Sequence, residues 1–383
     1  MALLRGEVIN GYKILQDFIV AGGMSKISFA EKGGKEYFIK EFLSPKYPLP
    51  ESPGSEKIKA QKRKACEEFE KHHRELNKMI GTKVSLGGNL VFAIDFFRSG
   101  TCYYKVTEKI DTASLSCEEI SRLPMRNVLI IARSVCHSLR ILHSLNIVHG
   151  DLKPDNILIK RTEKEYTGKL IDFDDSYFSG NPPTDRESLV GTPEYYSPEQ
   201  AAYIMDEDEE ISGSTLTLKS DIFTLGIILC EYFTAKKPLL PADCGSTWAC
   251  IDSGKNVSYA KDIPSEIKNL LDRMLRKNPN ERPTINEVFD VLKGIKGIGI
   301  PAETDDKKPI EKPKVRINFP KPVHPEPDTL HEDSKTHTIL IEKPKVRINF
   351  PKPVHPESDA LHEDSKTHTE LISKTWKFSK KDC

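Results

Sequence analysis

The sequence predicts an α+β, bilobal protein: a small antiparallel sheet carrying one helix, then a mainly helical second lobe, then a tail of different composition. Three observations carry this. Short runs with strand-like character occupy residues 12 to 110, apolar spacing becomes helical from Glu118 to Lys293, and eleven of the 26 prolines fall between Pro301 and Pro356. A chain of 383 residues also exceeds the roughly 100 to 200 residues of one ordinary domain, so at least two compact bodies are expected.

Tyr12–Val20, Ile27–Ala30, Glu36–Phe42, Leu90–Phe97 and Cys102–Thr107 read as strands of the first lobe, about 12–108. One charged helical stretch, from about Glu56 to Ile80, interrupts them. The second lobe, about 111–296, has its clearest helices at Val128 through Leu142 and Ile222 through Phe233. From residue 297 to 383 only Phe319, Phe350, Trp376 and Phe378 are aromatic, and the Pro/Lys-rich composition predicts disorder. Within this tail residues 310–338 return as 341–369, a 29-residue segment altered only at Pro327/Ser358 and Thr329/Ala360. Two copies are too few to stack into a solenoid and read as duplicated linear segments.

Lysine plus arginine and aspartate plus glutamate each number 57, which removes the global positive field of a protein held to nucleic acid by bulk charge. The eight cysteines form no CxxC pair and no regular spacing, so neither zinc nor a disulfide framework is expected. A reducing, cytoplasmic home is the simplest reading. The N-terminus reaches a charge too early for a secretory signal, the longest uncharged apolar run, Ile222–Cys230, is half a membrane span, and Cys383 does not fit a prenylation pattern.

The most informative stretch is His149-Gly150-Asp151-Leu152-Lys153-Pro154-Asp155-Asn156, followed by Asp172-Phe173-Asp174. Alone, the first is also a plain polar turn. In this order the two resemble the catalytic loop and metal-binding motif of the eukaryotic-like (Hanks-type) serine/threonine protein kinases. Phosphoryl transfer needs positioned groups and neutralised charge more than covalent chemistry. The resemblance implies that Asp151 orients the attacking hydroxyl, that Asn156 and Asp172 hold Mg2+, and that Lys153 lies near the γ-phosphate of ATP.

Other segments extend the resemblance from Tyr12 to about Gly297. Val20, Gly22 and Ser25 occupy the glycine-rich-loop positions, with only Gly22 matching glycine, and Lys40 follows as the strand lysine for the α- and β-phosphates. That lysine should meet a helix glutamate. An apolar stripe centred on Phe69, Leu76 and Ile80 leaves Glu70 and Glu75 on opposite flanks, and Arg74-Glu75-Leu76 favours Glu75 with Glu70 as the rival. His72 and His73 read as helix-surface residues. Gly191 to Glu199 resembles the end of an activation segment, with Ser197-Pro198-Glu199 for Ala-Pro-Glu. Glu199 would pair with Arg282, Asp221 would brace the catalytic loop, and Thr192 would bond near Asp151. Gly22-Gly23-Met24-Ser25 is reminiscent of bacterial members.

Two departures stand out. Gly150 replaces the common arginine that clamps a phosphorylated loop, which predicts activity without obligatory phosphorylation at Thr184 or Ser188. Asp174 replaces the glycine of Asp-Phe-Gly, giving up a position tolerant of positive φ and adding a carboxylate beside the metal site.

The acidic run Met205 to Glu210 reads as a solvated loop, with docking of basic substrate as the alternative. The tail repeats, through Val315, Ile317 and Phe319 or through Pro322-Val323-His324-Pro325, could engage partners bivalently, although disorder without a partner is the plainer reading. Ser334, Thr336, Ser365 and Thr367 are candidate autophosphorylation sites. The expected function is transfer of the ATP γ-phosphoryl to protein Ser/Thr hydroxyls with magnesium. A pseudokinase scaffold and a small-molecule phosphotransferase are the competing readings.

Overall fold

Short strands paired in antiparallel register build a curled sheet at the N-terminus. In the computed structural model β1 (Val8–Ile9), β2 (Tyr12–Ile14), β3 (Ile19–Ala21), β4 (Ser25–Lys32), β5 (Lys35–Phe42), β6 (Ala93–Ser99) and β7 (Cys102–Glu108) follow the order β1-β2-β4-β5-β7-β6, with β3 beside β4. The structure describes residues 4–21, 25–83, 89–110, 114–161, 165–183, 186, 189, 191–206, 210–260 and 263–295. The expectations for Gly22, Thr184, Ser188 and the whole 297–383 tail lie outside them.

The single strand expected at Tyr12–Val20 is two, each paired to β4: Ile14 faces Ala30 and Ile19 faces Ile27. Ser28 Oγ donates to the Gln16 carbonyl at 2.6 Å where they part. Gly33 and Gly34, both at positive φ (61° and 75°), make the two-residue turn that pairs Lys32 with Lys35. Leu90 lies before β6 and bridges Leu170 instead.

One face of the sheet encloses Ile9, Tyr12, Ile14, Ala30, Ile39, Tyr104 and Val106. The other packs Phe42, Phe96 and Tyr103 against Cys66 of α1 (Glu56–Lys83), which extends a little beyond the expected helix. Leu76 and Ile80, farther along α1, join Leu90 in the core of the second lobe. The long helix is therefore anchored at both lobes.

The second lobe is built on α3 (Met125–Ser144), preceded by α2 (Cys117–Ser121), and on α5 (Leu218–Thr234). Two small two-stranded sheets follow α3: β9 (Ile157–Arg161) with β10 (Tyr166–Leu170), and β8 (Ile147–Val148) with β11 (Tyr177–Phe178). These hold the segments from 149 to 156 and from 171 to 176 side by side. In α4 (Pro198–Met205) Ser197 is the N-cap, its hydroxyl accepting from Gln200 N–H, with Pro198 in the first turn. That capping explains serine where Ala-Pro-Glu has alanine. The helices α6 (Thr247–Asp252), α7 (Ser265–Met274) and α8 (Ile285–Gly294) complete the lobe, α8 opening with a Thr284/Glu287 capping box.

Candidate active site

The turn after β8 is shaped by a buried carboxylate. Asp221, in the first turn of α5, accepts from His149 N–H at 2.9 Å, from Gly150 N–H at 3.5 Å and from His143 Nε2 at 2.9 Å. Gln200 of α4 donates to the Gly150 carbonyl, and Ser176 donates to that of His149. Gly150 sits at φ 83°, and a Cβ there would lie 2.1 Å from the Asp175 carbonyl oxygen. No side chain fits at this position, so the arginine common before the catalytic aspartate is sterically barred.

This frame presents Asp151. Thr192 donates to its Oδ1 at 3.0 Å, while Lys153 Nζ (2.6 Å) and Asn156 Nδ2 (3.1 Å) donate to Oδ2. Lys153 also donates to the Thr192 hydroxyl at 3.0 Å, and Asn156 Nδ2 to the Asp151 carbonyl at 2.7 Å. Three residues from two segments thus converge on one carboxylate. The Ile171 N–H donates to the Asn156 carbonyl at 3.0 Å, which brings Asp172 alongside.

Asp172 adopts φ 59°, the left-handed conformation in this loop, whereas Asp174 does not need the freedom of the glycine it replaces. Lys40 Nζ bonds both Asp172 oxygens, at 3.0 and 2.9 Å, and Asp174 at 2.6 Å. A second lysine, Lys105, completes the group: it bonds Asp172 at 3.2 Å and forms a close ion pair with Asp174. β5 and β7 pair Lys40 with Lys105, so register alone sets the two cations side by side. Burial opposes the charge on Asp174, but Lys105 and Lys40 outweigh it and hold its carboxyl well below the usual range. Burial likewise opposes the charge on Lys40, and Asp174 and Asp172 together raise it. Asp175 differs: burial, then the charges of Asp174, Asp151 and Asp172, push it up to about 7.

Neither helix glutamate reaches Lys40. Glu75 is half exposed and lies 4.0 Å from Lys71; Glu70 accepts from the Tyr103 hydroxyl at 3.0 Å and lies near Arg74 and Arg98. The helix turns its histidines toward the loop instead. His73 is 5% exposed, stacked 23° from parallel on Phe96 and packed on Phe42 and Phe69, so it is no surface residue. Burial pushes it down to about 3, keeping it neutral beside Asp174, Lys105 and Lys40. His72 Nε2 meets the Ser176 carbonyl at 2.9 Å. The physical reason is rotational: residues 66, 69, 73, 76 and 80 form one buried stripe, which throws 70 and 75 to its flanks.

Val20 is 56% exposed on β3, and Ser25 is buried at the start of β4 opposite Ala21. Arg282 and Glu199 form the expected pair, bidentate at 2.7 and 2.8 Å, with the guanidinium fully buried. The acidic run is less uniform than expected. Asp206 accepts from Arg186 at 2.9 Å, and Arg186 also donates to the carbonyls of Tyr203, Asp206 and Ile211.

Sequence reading names neither Lys105 nor Arg186, and it puts His73 on the helix surface. A lysine inside a strand whose neighbours Tyr103, Tyr104, Val106 and Thr107 are all buried demands a counter-charge, and His73 lies on the stripe through Phe69 and Leu76. Both signals were present.

Among the described residues no three His, Cys, Asp or Glu side chains cluster as a metal site. The two residues that the resemblance assigns to a metal ion, Asp172 and Asn156, offer a carboxylate and an amide oxygen, which would suit a hard ion that keeps waters and shares phosphate oxygens.

A protein kinase domain model matches residues 55–291, more than half of the chain, and the chain belongs to that family. Within it, the chain is a eukaryotic-like, Hanks-type kinase domain, a family whose substrates are ATP and protein and which uses a divalent metal. The match begins just before α1, leaving β1–β5 and Lys40 outside it. Similar proteins include the probable serine/threonine-protein kinase nek3 of Dictyostelium discoideum (26% identical over 57% of this chain and 19% of that protein). Mitogen-activated protein kinase kinase 2 of Arabidopsis thaliana is 28% identical over 53% and 55%, and serine/threonine-protein kinase PkaA of Streptomyces coelicolor 28% over 46% and 31%. The chain thus aligns with between a fifth and about half of the length of these relatives.

Proposed function

We propose that this chain is a serine/threonine protein kinase that transfers the γ-phosphoryl group of ATP to protein hydroxyls with magnesium. The observation that carries the reading is the set of hydrogen bonds from Thr192, Lys153 and Asn156 onto Asp151, which leaves that carboxylate oriented and charge-balanced at the mouth of the loop. In this reading Asp151 accepts or orients the proton of the attacking hydroxyl, and Thr192 helps form the floor for serine or threonine. Lys153, already close to both, stabilises charge developing on the transferred group. Lys40 holds the α- and β-phosphates, and Val20, Gly22 and Ser25 border them. Asn156 and Asp172 hold the magnesium ion, which when bound neutralises phosphate charge. We take residues 12–296 as the catalytic domain and 297–383 as a tail that binds partners and carries autophosphorylation sites. A cytoplasmic home completes the reading; among the described residues no helix is long and apolar enough to cross a membrane, and seven of the eight cysteines, those described, are free thiols.

A pseudokinase reading draws on one observation: Asp172 is engaged by two lysines at once. Incubation of purified protein with labelled ATP and magnesium, alone and with cell extract, separates the two. The kinase reading expects phosphate on serine and threonine, abolished by Asp151→Asn, Lys40→Ala and Asp172→Ala. Incorporation that persists in those variants, or none in the parent protein, overturns it.

A further inference from the structure

Two departures from the family pattern meet at one place. The helix position turned toward Lys40 holds a neutral histidine, His73, and the position that should be glycine holds a carboxylate, Asp174. We propose that the carboxylate which positions the phosphate-binding lysine has moved from helix α1 to Asp174, with Lys105 as the counter-charge that makes the move possible. The proposal rests on the kinase reading of the cleft.

The charges show why these changes belong together. Lys40 at 13% and Lys105 at 9% side-chain exposure face Asp174 at 12%, and Asp172 contributes the fourth charge, so two cations and two anions close a neutral quartet. Two lysines this close repel, and the two carboxylates between them offset that repulsion. A helix glutamate at position 73 would add a third anion to the quartet. Histidine held neutral by burial adds none, while its ring fills the space between Phe42, Phe69 and Phe96. Asp174 bonds both lysines directly, so it would still hold Lys40 if Asp172 were engaged by a metal ion. Asp174 and Lys105 are positioning residues: they act through Lys40.

The sharpest test restores the family residue. Binding of ATP with magnesium is measured by calorimetry for the full chain and for Asp174→Gly, Asp174→Asn, Lys105→Met, Glu70→Gln and Glu75→Gln. The proposal expects Asp174→Gly and Asp174→Asn to weaken binding at least tenfold and both glutamate variants to stay within twofold of the parent. It also expects His73→Glu, added to Asp174→Gly, to recover much of the loss, a rescue that a merely structural role for Asp174 would not give. The proposal is overturned if Asp174→Gly binds ATP as tightly as the parent or more tightly, or if Glu70→Gln or Glu75→Gln falls as far as Asp174→Asn. A parent protein that binds no ATP sinks the kinase reading, and the pair is then judged by urea unfolding without nucleotide. There, Lys105→Met must shift the midpoint less in an Asp174→Asn background than alone; equal shifts overturn the pairing.

Discussion

The Asp151 cluster and the Lys40 cluster lie on either side of one backbone hydrogen bond, Ile171 to Asn156, and are built by opposite means. Around Asp151 every partner is the residue type the family pattern asks for, and α4 and α5 brace the loop backbone. Around Lys40 the family aspartate, Asp172, is joined by Asp174 and the neighbouring Lys105, and the helix offers His73. The difference is one of tolerance. Orienting a hydroxyl proton demands an atom within a few tenths of an ångström, whereas holding a cation demands only an anion nearby, so the carboxylate can come from another segment.

The comparison is tested most severely at Asp151. Asp151→Asn keeps the shape and removes the charge, and phosphoryl transfer should fall roughly a thousandfold with folding intact, measured as kcat beside a thermal melt. A small loss would place proton handling elsewhere and erase the contrast. Next is the frame. Arg282→Met leaves Glu199 buried with no cation and strips the guanidinium from the Arg276, Lys219 and Lys277 carbonyls, so urea unfolding should show a loss of about 3–5 kcal/mol.

Gly150→Ala comes third. Its Cβ collides with the Asp175 carbonyl at a φ that disfavours any side chain, and a loss of about 2–3 kcal/mol with impaired activity is expected from melts and assays. Thr184→Ala and Ser188→Ala, by contrast, should leave activity in place, because no arginine stands at 150 to receive a phosphate. The smallest effect sharpens the other cluster. Neutral His73 stabilises the fold fully above the unfolded imidazole pKa near 6.5, and that contribution is lost as pH falls toward about 3. Between pH 7 and pH 5 the parent should lose about 2 kcal/mol more than His73→Phe in urea unfolding.

The same contrast governs what could be read from sequence. Asp151, Thr192, Asp221 and the Glu199–Arg282 pair were legible because the chemistry fixes both residue type and spacing, and the structure brings Thr192 to Asp151, Asp221 to the loop backbone and Arg282 to Glu199, with Asn156 against Asp151 and Asp172 against Lys40. The two lobes followed from the change in apolar period near residue 110. The partner of Lys40 was not legible, because it depends on strand register between residues 40 and 105 and on the rotation of α1 about its axis. Glu70 and Glu75 were weighed as flanks of a stripe whose own member, His73, faces the loop. Asp174 looked like an addition to the metal site until Lys105 supplied its partner.

Arg186 commits both terminal guanidinium nitrogens to the carbonyls of Tyr203, Asp206 and Ile211 and to the Asp206 carboxylate, and lies 4.2 Å over the Tyr203 ring. An incoming phosphate would have to break those bonds before gaining one of its own. In the kinase proposed above, readiness would then be installed when the chain folds, with no phosphate captured at Arg186.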